Sequence, residues 1–226
     1  MSARRAAGEP ACAYAAQVAS GSRGARRARS TSDTVDDATA TFAHALQALR
    51  QVSLRPEITI EEAPAPQRLA PHAVALTGDV TLDGADVATG RFVLLHDPAG
   101  HEAWAGAWRV VTFVRADLES DMAAEPMLAG VAWAWLTEAL AAHGARALLL
   151  GGTVTRVASE SFGTMAERTQ EAEVEVRASW TPAWDGPMPE VETHLLAWAT
   201  LLGTAAGLAP LPTGVVSLPS RRSRKG

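Results

Sequence analysis

The stretch that decides the fold is HAVALTGDVTLDGADVATGRFVLLHDPAGH, residues 72–101. From His72 onward apolar and polar side chains alternate with a period of two, the pattern of a strand with one packed face. Asp83-Gly84 interrupts that alternation. A two-residue turn of this composition closes a hairpin, because both positions tolerate positive φ. The spacing therefore predicts strands over 73–82 and 86–95. Asp97-Pro98-Ala99-Gly100 follows, with Asp first, Pro second and Gly fourth, as in a type I turn. A third strand then runs over 101–114, with Gly106 at a bulge or bend.

Working outward toward the N-terminus, Val35, Ala38, Phe42, Leu46 and Leu49 recur at spacings of three and four. They make one helical stripe, with Asp33, Asp36 and Asp37 at its positive end. Arg55-Pro56 stops the helix. Ile58-Thr59-Ile60 reads as a short strand, and Pro64, Pro66 and Pro71 stiffen the loop after it.

Toward the C-terminus, residues 126–140 predict a helix with only Thr137 and Glu138 as polar side chains. A helix apolar nearly all round is either central to the fold or covered by a partner. Gly144 ends it. Strands follow over 146–158 and 172–180. In the second, Val174, Val176, Ala178 and Trp180 alternate with Glu173, Glu175, Arg177 and Ser179. A last helix over 189–206 carries Val191, Leu195, Trp198, Leu202 and Ala205, closed by Gly207, Pro210 and Pro212.

The order is α-β-β-β-β-α-β-β-α. Hairpins rather than crossovers join most strands, which predicts an α+β fold. It has a mostly antiparallel sheet of five to six strands and three helices, mainly on one face.

Charge is unevenly placed in these 226 residues of net charge −5. Residues 1–32 hold six arginines against one acid, and residues 219–226 hold four basic groups. Residues 33–218 hold 10 basic and 24 acidic residues, which leaves them at −14. This predicts a disordered basic extension (1–32), one folded domain (33–218) and a disordered basic tail (219–226). An acidic body repels phosphate backbones, so nucleic acid is excluded as a partner of the folded part. The tails alone offer an RNA contact. Cys12 is the sole cysteine, which excludes a disulfide framework. No run of about 18 uncharged apolar residues exists to span a membrane. The mild apolar run after Arg4-Arg5 is mostly alanine and lacks the core of a signal peptide. The expected compartment is cytoplasmic.

Chemical constellations are sparse, and no cofactor motif is present. His96 and His101 flank the predicted turn; placed opposite each other, their Cβ atoms would lie roughly 5 Å apart and could share a metal. No third and fourth ligands are fixed by spacing, so no metal site is assigned. Ser159-Glu160-Ser161 lacks a nucleophile elbow, and no Gly-Lys-Ser/Thr follows Gly151-Gly152. Arg109 is a candidate for binding an anion or a partner's charges. Seven tryptophans stand against one tyrosine. Trp suits pockets and interfaces because its N–H needs a partner. Trp133, Trp135, Trp180 and Trp184 are the candidates for lining a groove or a protomer contact.

Several segments resemble an uncharacterised actinobacterial family, domain-of-unknown-function family 3000. They are GRFVLLHDPAGHEAW (90–104), RVVTFVRADLE (109–119), WLTEAL (135–140), LGGTVTRVASESFG (150–163) and EVEVRASWTP (173–182). The run 195–219 fits too, and the resemblance covers about residues 42–221. It implies an actinobacterial, cytoplasmic origin and carries no activity. The element order is loosely similar to the small α+β fold of secretion chaperones, a likeness of fold alone.

The resulting expectation is a non-enzymatic binding or adaptor module. It would bury an apolar helix or sheet face against a protein partner or a second copy. The alternatives are an enzyme or small-ligand binder with a pocket near His96, His101 and Arg109, and an RNA-associated factor acting through basic tails.

Overall fold

The computed structural model describes residues 31–66, 68–165 and 171–209. Of the two segments expected to be basic extensions, only Thr31 and Ser32 fall among these, as the first residues of a helix. The rest of both lies outside the described residues.

Among the described residues four α-helices and six strands follow one another as α1 (Thr31–Arg50), β1 (Ile58–Ala63), β2 (His72–Leu82), β3 (Ala85–His101), β4 (Gly106–Leu118), α2 (Ser120–Ala124), α3 (Leu128–Ala142), β5 (Arg146–Ser159), β6 (Glu171–Ala183) and α4 (Val191–Ala205). The five-residue α2 was not expected; α1, α3 and α4 are the three long helices. The strands form one antiparallel sheet in the order β1-β2-β3-β4-β6-β5. The fold class is α+β, as the hairpin reading required.

Asp83 and Gly84 both hold positive φ (52° and 85°), and Leu82 pairs with Ala85 across them. This is the mirror-image turn whose twist matches the strands it joins. The second turn differs from expectation. β3 continues through residues 97–100 to His101, and the chain reverses in a single 3-10 turn at Glu102–Trp104, closed by Ala105 at φ 50°. Asp97 still caps locally, its Oδ1 accepting from the Ala99 N–H at 3.0 Å. That local bond shapes an irregular strand end without reversing the chain.

α4 packs on one face of the sheet with contacts to both α1 and α3. It is buried almost all round, from Val191 to Ala205. The central apolar helix is therefore α4. α3 is buried on one side through Leu128, Ala132, Leu136, Ala139 and Leu140, and leaves Met127 before it and Val131 exposed. α1 contributes Phe42, Ala45 and Leu49 to the main core and also buries Ala38. On the opposite face of the sheet a small cluster of Ala75, Val93 and Leu95 is covered by Ala65 and Ala70 of the loop after β1 and by Trp104. Among the described residues, no long helix lies over the rest of that face, across β4, β6 and β5.

Candidate functional site

Register decides where the candidate residues go. Leu95 pairs with Arg109 and His96 with Trp108, so neighbours in sequence face opposite sides of the sheet. His96 turns to the helix side, is 5% exposed, and stacks on Trp108 with centroids 4.0 Å apart. His72, its register partner, stacks on it at 5.5 Å, and Phe42 of α1 completes the pile. Burial among these rings, with His72 beside it, pushes the His96 imidazole down to about 4, so it is neutral at pH 7. Its Nδ1 is buried without a hydrogen-bond partner among the described residues.

His101 lies at the exposed end of β3 and stacks on Trp104 at 4.5 Å. The expected His96–His101 pair is therefore not formed, because β3 runs on past His96 and its register shifts before His101. Among the described residues no group of three His, Cys, Asp or Glu side chains is placed to hold a metal. His96, His101 and Arg109 also share no pocket, since His96 and Arg109 occupy opposite faces. A cavity of about 250 Å³ lies elsewhere, between the end of α1, β1, β2 and α4. Leu46, Leu49, Leu54, Val74 and Leu195 line it, and Arg50 pairs with Glu62 at its rim at 3.5 Å. Its lining is drawn from four elements, so no local sequence pattern announces it.

The tryptophans divide. Trp180 is fully buried, and its Nε1 donates to His194 Nδ1 at 3.0 Å. It is a core residue, buried from the surface on which a groove or protomer contact was expected. Its N–H found an imidazole inside the protein, so the partner that Trp requires was internal. Trp184 is half-buried and meets Trp108 edge-on at 5.8 Å. Trp133 and Trp135 are half-buried on α3 against the main core.

Arg109 stands on the open face. Its Nη2 donates to Ser179 Oγ at 2.6 Å and its Nη1 to Thr181 Oγ1 at 3.2 Å. Nη1 also reaches the Leu149 carbonyl at 3.5 Å. Thr181 is buried and passes its own hydroxyl hydrogen to the Trp104 carbonyl at 2.6 Å. Beside this network β5 is irregular. Its register with β6 steps from Leu148↔Thr181 to Gly151↔Ser179, and Leu149 adopts φ 50°. The step leaves Leu148 and Leu149 exposed at 51% and 56%. Sequence reading placed β5 but not the exposed Leu148–Leu149 surface, which depends on how the strand pairs with β6.

Among the described residues β5 is also the last strand of the sheet, with β6 on one side and no strand on the other. The model of the family described as protein of unknown function (DUF3000) matches residues 38–216. The chain belongs to the DUF3000 family. The matched span opens at Ala38, the first buried side chain described in α1, and takes in every strand and α4. The DUF3000 unit is thus the α+β body. No curated protein and no solved structure matches the chain. Among the described residues no helix is long and apolar enough to cross a membrane.

Proposed function

We propose that the DUF3000 body is a non-enzymatic binding module that accepts an extended segment of a partner protein along the free edge of β5. The observation that carries this reading is the contrast between the two sheet edges. β1 is six residues long, exposes Glu61 and Glu62, and is followed by Pro64. Short length, charge and proline are the devices that blunt an edge. β5 is 14 residues long, contains no proline and no acid, and carries Thr153, Val154, Thr155 and Val157 in its regular part. Leu148, Leu149 and Val157 (39% exposed) lie along it, and Val131 of α3 is exposed as well. An edge of this kind is a template for one more strand, with backbone bonds supplying affinity and side chains supplying choice. The charges on β5 are Arg146, which pairs with Asp185, and Arg156, which donates to the Glu125 carbonyl and has no carboxylate partner among the described residues; Arg156 thus favours an acidic partner segment.

The test is recovery of the tagged full-length chain from its native host beside Leu148→Lys and Val157→Lys. Both sites are exposed, so folding stability should change by no more than about 0.5 kcal/mol. The bound partner should slow amide exchange in residues 151–159, and both variants should lose it. A partner retained by both variants, or one that protects β1 or α3 instead, overturns the reading. A doubled mass in light scattering that both variants abolish replaces the partner segment with a second copy.

A further inference from the structure

We propose that Arg109 is a carboxylate-binding residue, the receptor for an acidic group on an apolar ligand seated beside Leu148 and Leu149. That the ligand is part of the segment docked on β5 rests on the reading above; the site itself does not.

A guanidinium has five N–H donors and no acceptor. Arg109 uses three, on Ser179 Oγ, Thr181 Oγ1 and the Leu149 carbonyl. Its Nε–H and second Nη2 hydrogen have no partner among the described residues. Two donors on adjacent nitrogens are what the two oxygens of a carboxylate take in a bidentate pair. The other exposed-face arginines of β4 and β6 are already matched, Arg115 with Glu173 and Arg177 with Glu175. No carboxylate lies within ion-pairing distance of Arg109 among the described residues. Its three acceptors are neutral, so they orient the charge without cancelling it. Partial burial accordingly pushes its pKa down, with no acid to offset the desolvation.

The site is held in place. Thr181 is 4% exposed and is fixed by its bond to the Trp104 carbonyl. The backbone at Leu149 is kept at positive φ, a strained conformation for a leucine that persists only where the surroundings enforce it. A fixed cation beside two exposed leucines selects an acid with an apolar body. The acidic character of residues 33–218 weighs more heavily against a phosphate dianion than against a singly charged carboxylate at the same place.

The experiment follows the Arg109 Nε–H resonance of the full-length chain by NMR while N-acetyl-leucine, N-acetyl-leucinamide or inorganic phosphate is added. N-acetyl-leucine should give a saturable shift at Arg109 and at the Leu148 and Leu149 amides, with millimolar affinity. The amide should bind at least about tenfold more weakly. Assignment comes from Arg109→Gln; Arg109→Lys keeps the charge but loses the fork, and should weaken the Leu148 and Leu149 response at least about fivefold. No saturable shift, an equal response to the amide, or an equal response to phosphate overturns the proposal. So does an unchanged Leu148 and Leu149 response in folded Arg109→Lys. A carboxylate response in a chain that captures no partner on β5 keeps the site and removes the edge reading. A partner held on β5, with no carboxylate response at Arg109, does the reverse.

Discussion

Gly78 and Gly90 stand opposite each other in the β2–β3 register, and the indole of Trp198 lies over both. A Cβ on Gly78 would come within 2.7 Å of the Trp198 ring, and one on Gly90 within 2.9 Å of the ring and of the Phe113 carbonyl. That same carbonyl accepts the Trp198 Nε1–H at 3.2 Å. The two bare positions let the central helix settle close to the sheet and place the indole donor on a strand carbonyl. α4 is thereby seated against the sheet.

Gly90→Ala should therefore lower stability by about 1–3 kcal/mol, the usual cost of forcing extra volume into a packed core. Trp198 is fully buried and the carbonyl is backbone, so neither neighbour yields cheaply. Gly78→Ala meets side chains alone, the Trp198 ring and Leu202, with no backbone atom in the way, and should cost less than Gly90→Ala. Urea unfolding followed by Trp fluorescence measures both.

Trp180 and His194 form the second internal lock. Trp180→Phe removes the donor and leaves His194 Nδ1 buried without a partner. The expected loss is about 2–3 kcal/mol from the orphaned nitrogen and the space left behind. In the double variant with His194→Phe the loss should be smaller than the sum of the single ones, because the orphan disappears. A double-mutant cycle by chemical denaturation shows the coupling.

Acid should unfold the protein through its buried imidazoles. Burial holds both His96 and His194 at about 4, below the ordinary 6.5. The unfolded chain binds these protons first as pH falls, so stability rises with pH between about 4 and 6.5. Stability is fullest above 6.5, declines through that window, and has lost the whole contribution below 4. Each group can account for up to about 3 kcal/mol. His194 has the further reason that its protonation ends its role as acceptor for Trp180. Denaturation midpoints measured from pH 4 to pH 8 check the slope.

His96→Phe should flatten that slope by one group and leave the protein as stable or up to about 1 kcal/mol more stable at pH 7. A phenyl ring keeps the stacking on Trp108 and Phe42 and removes the unpartnered Nδ1. Comparing its pH profile with that of the wild-type chain separates the two histidines.

Much of the architecture was legible in residues 72–101. A period of two, broken by Asp83-Gly84, specifies a hairpin because φ is locally permitted there and side chains alternate by geometry. The stripes of α1 and α4 were legible for the same local reason. Less legible was which apolar helix lies at the centre. α3 is the richer in continuous apolar sequence, yet α4 is the one that Gly78 and Gly90 admit to the sheet.

The candidate site divides in the same way. Sequence alone determined that Arg109 lies on a strand, that tryptophan is over-represented, and that the folded body is acidic. Tertiary structure decided that His96 and Arg109 face apart, that Trp180 is internal, and that, among the described residues, β5 is a free edge with a strained leucine beside a guanidinium that has no carboxylate partner. Strand alternation and turn chemistry depend on residues a few positions apart, so they can be read from the chain. Register, bulges and edge position depend on pairings between strands distant in sequence, and those are settled only when the whole sheet has closed around one core.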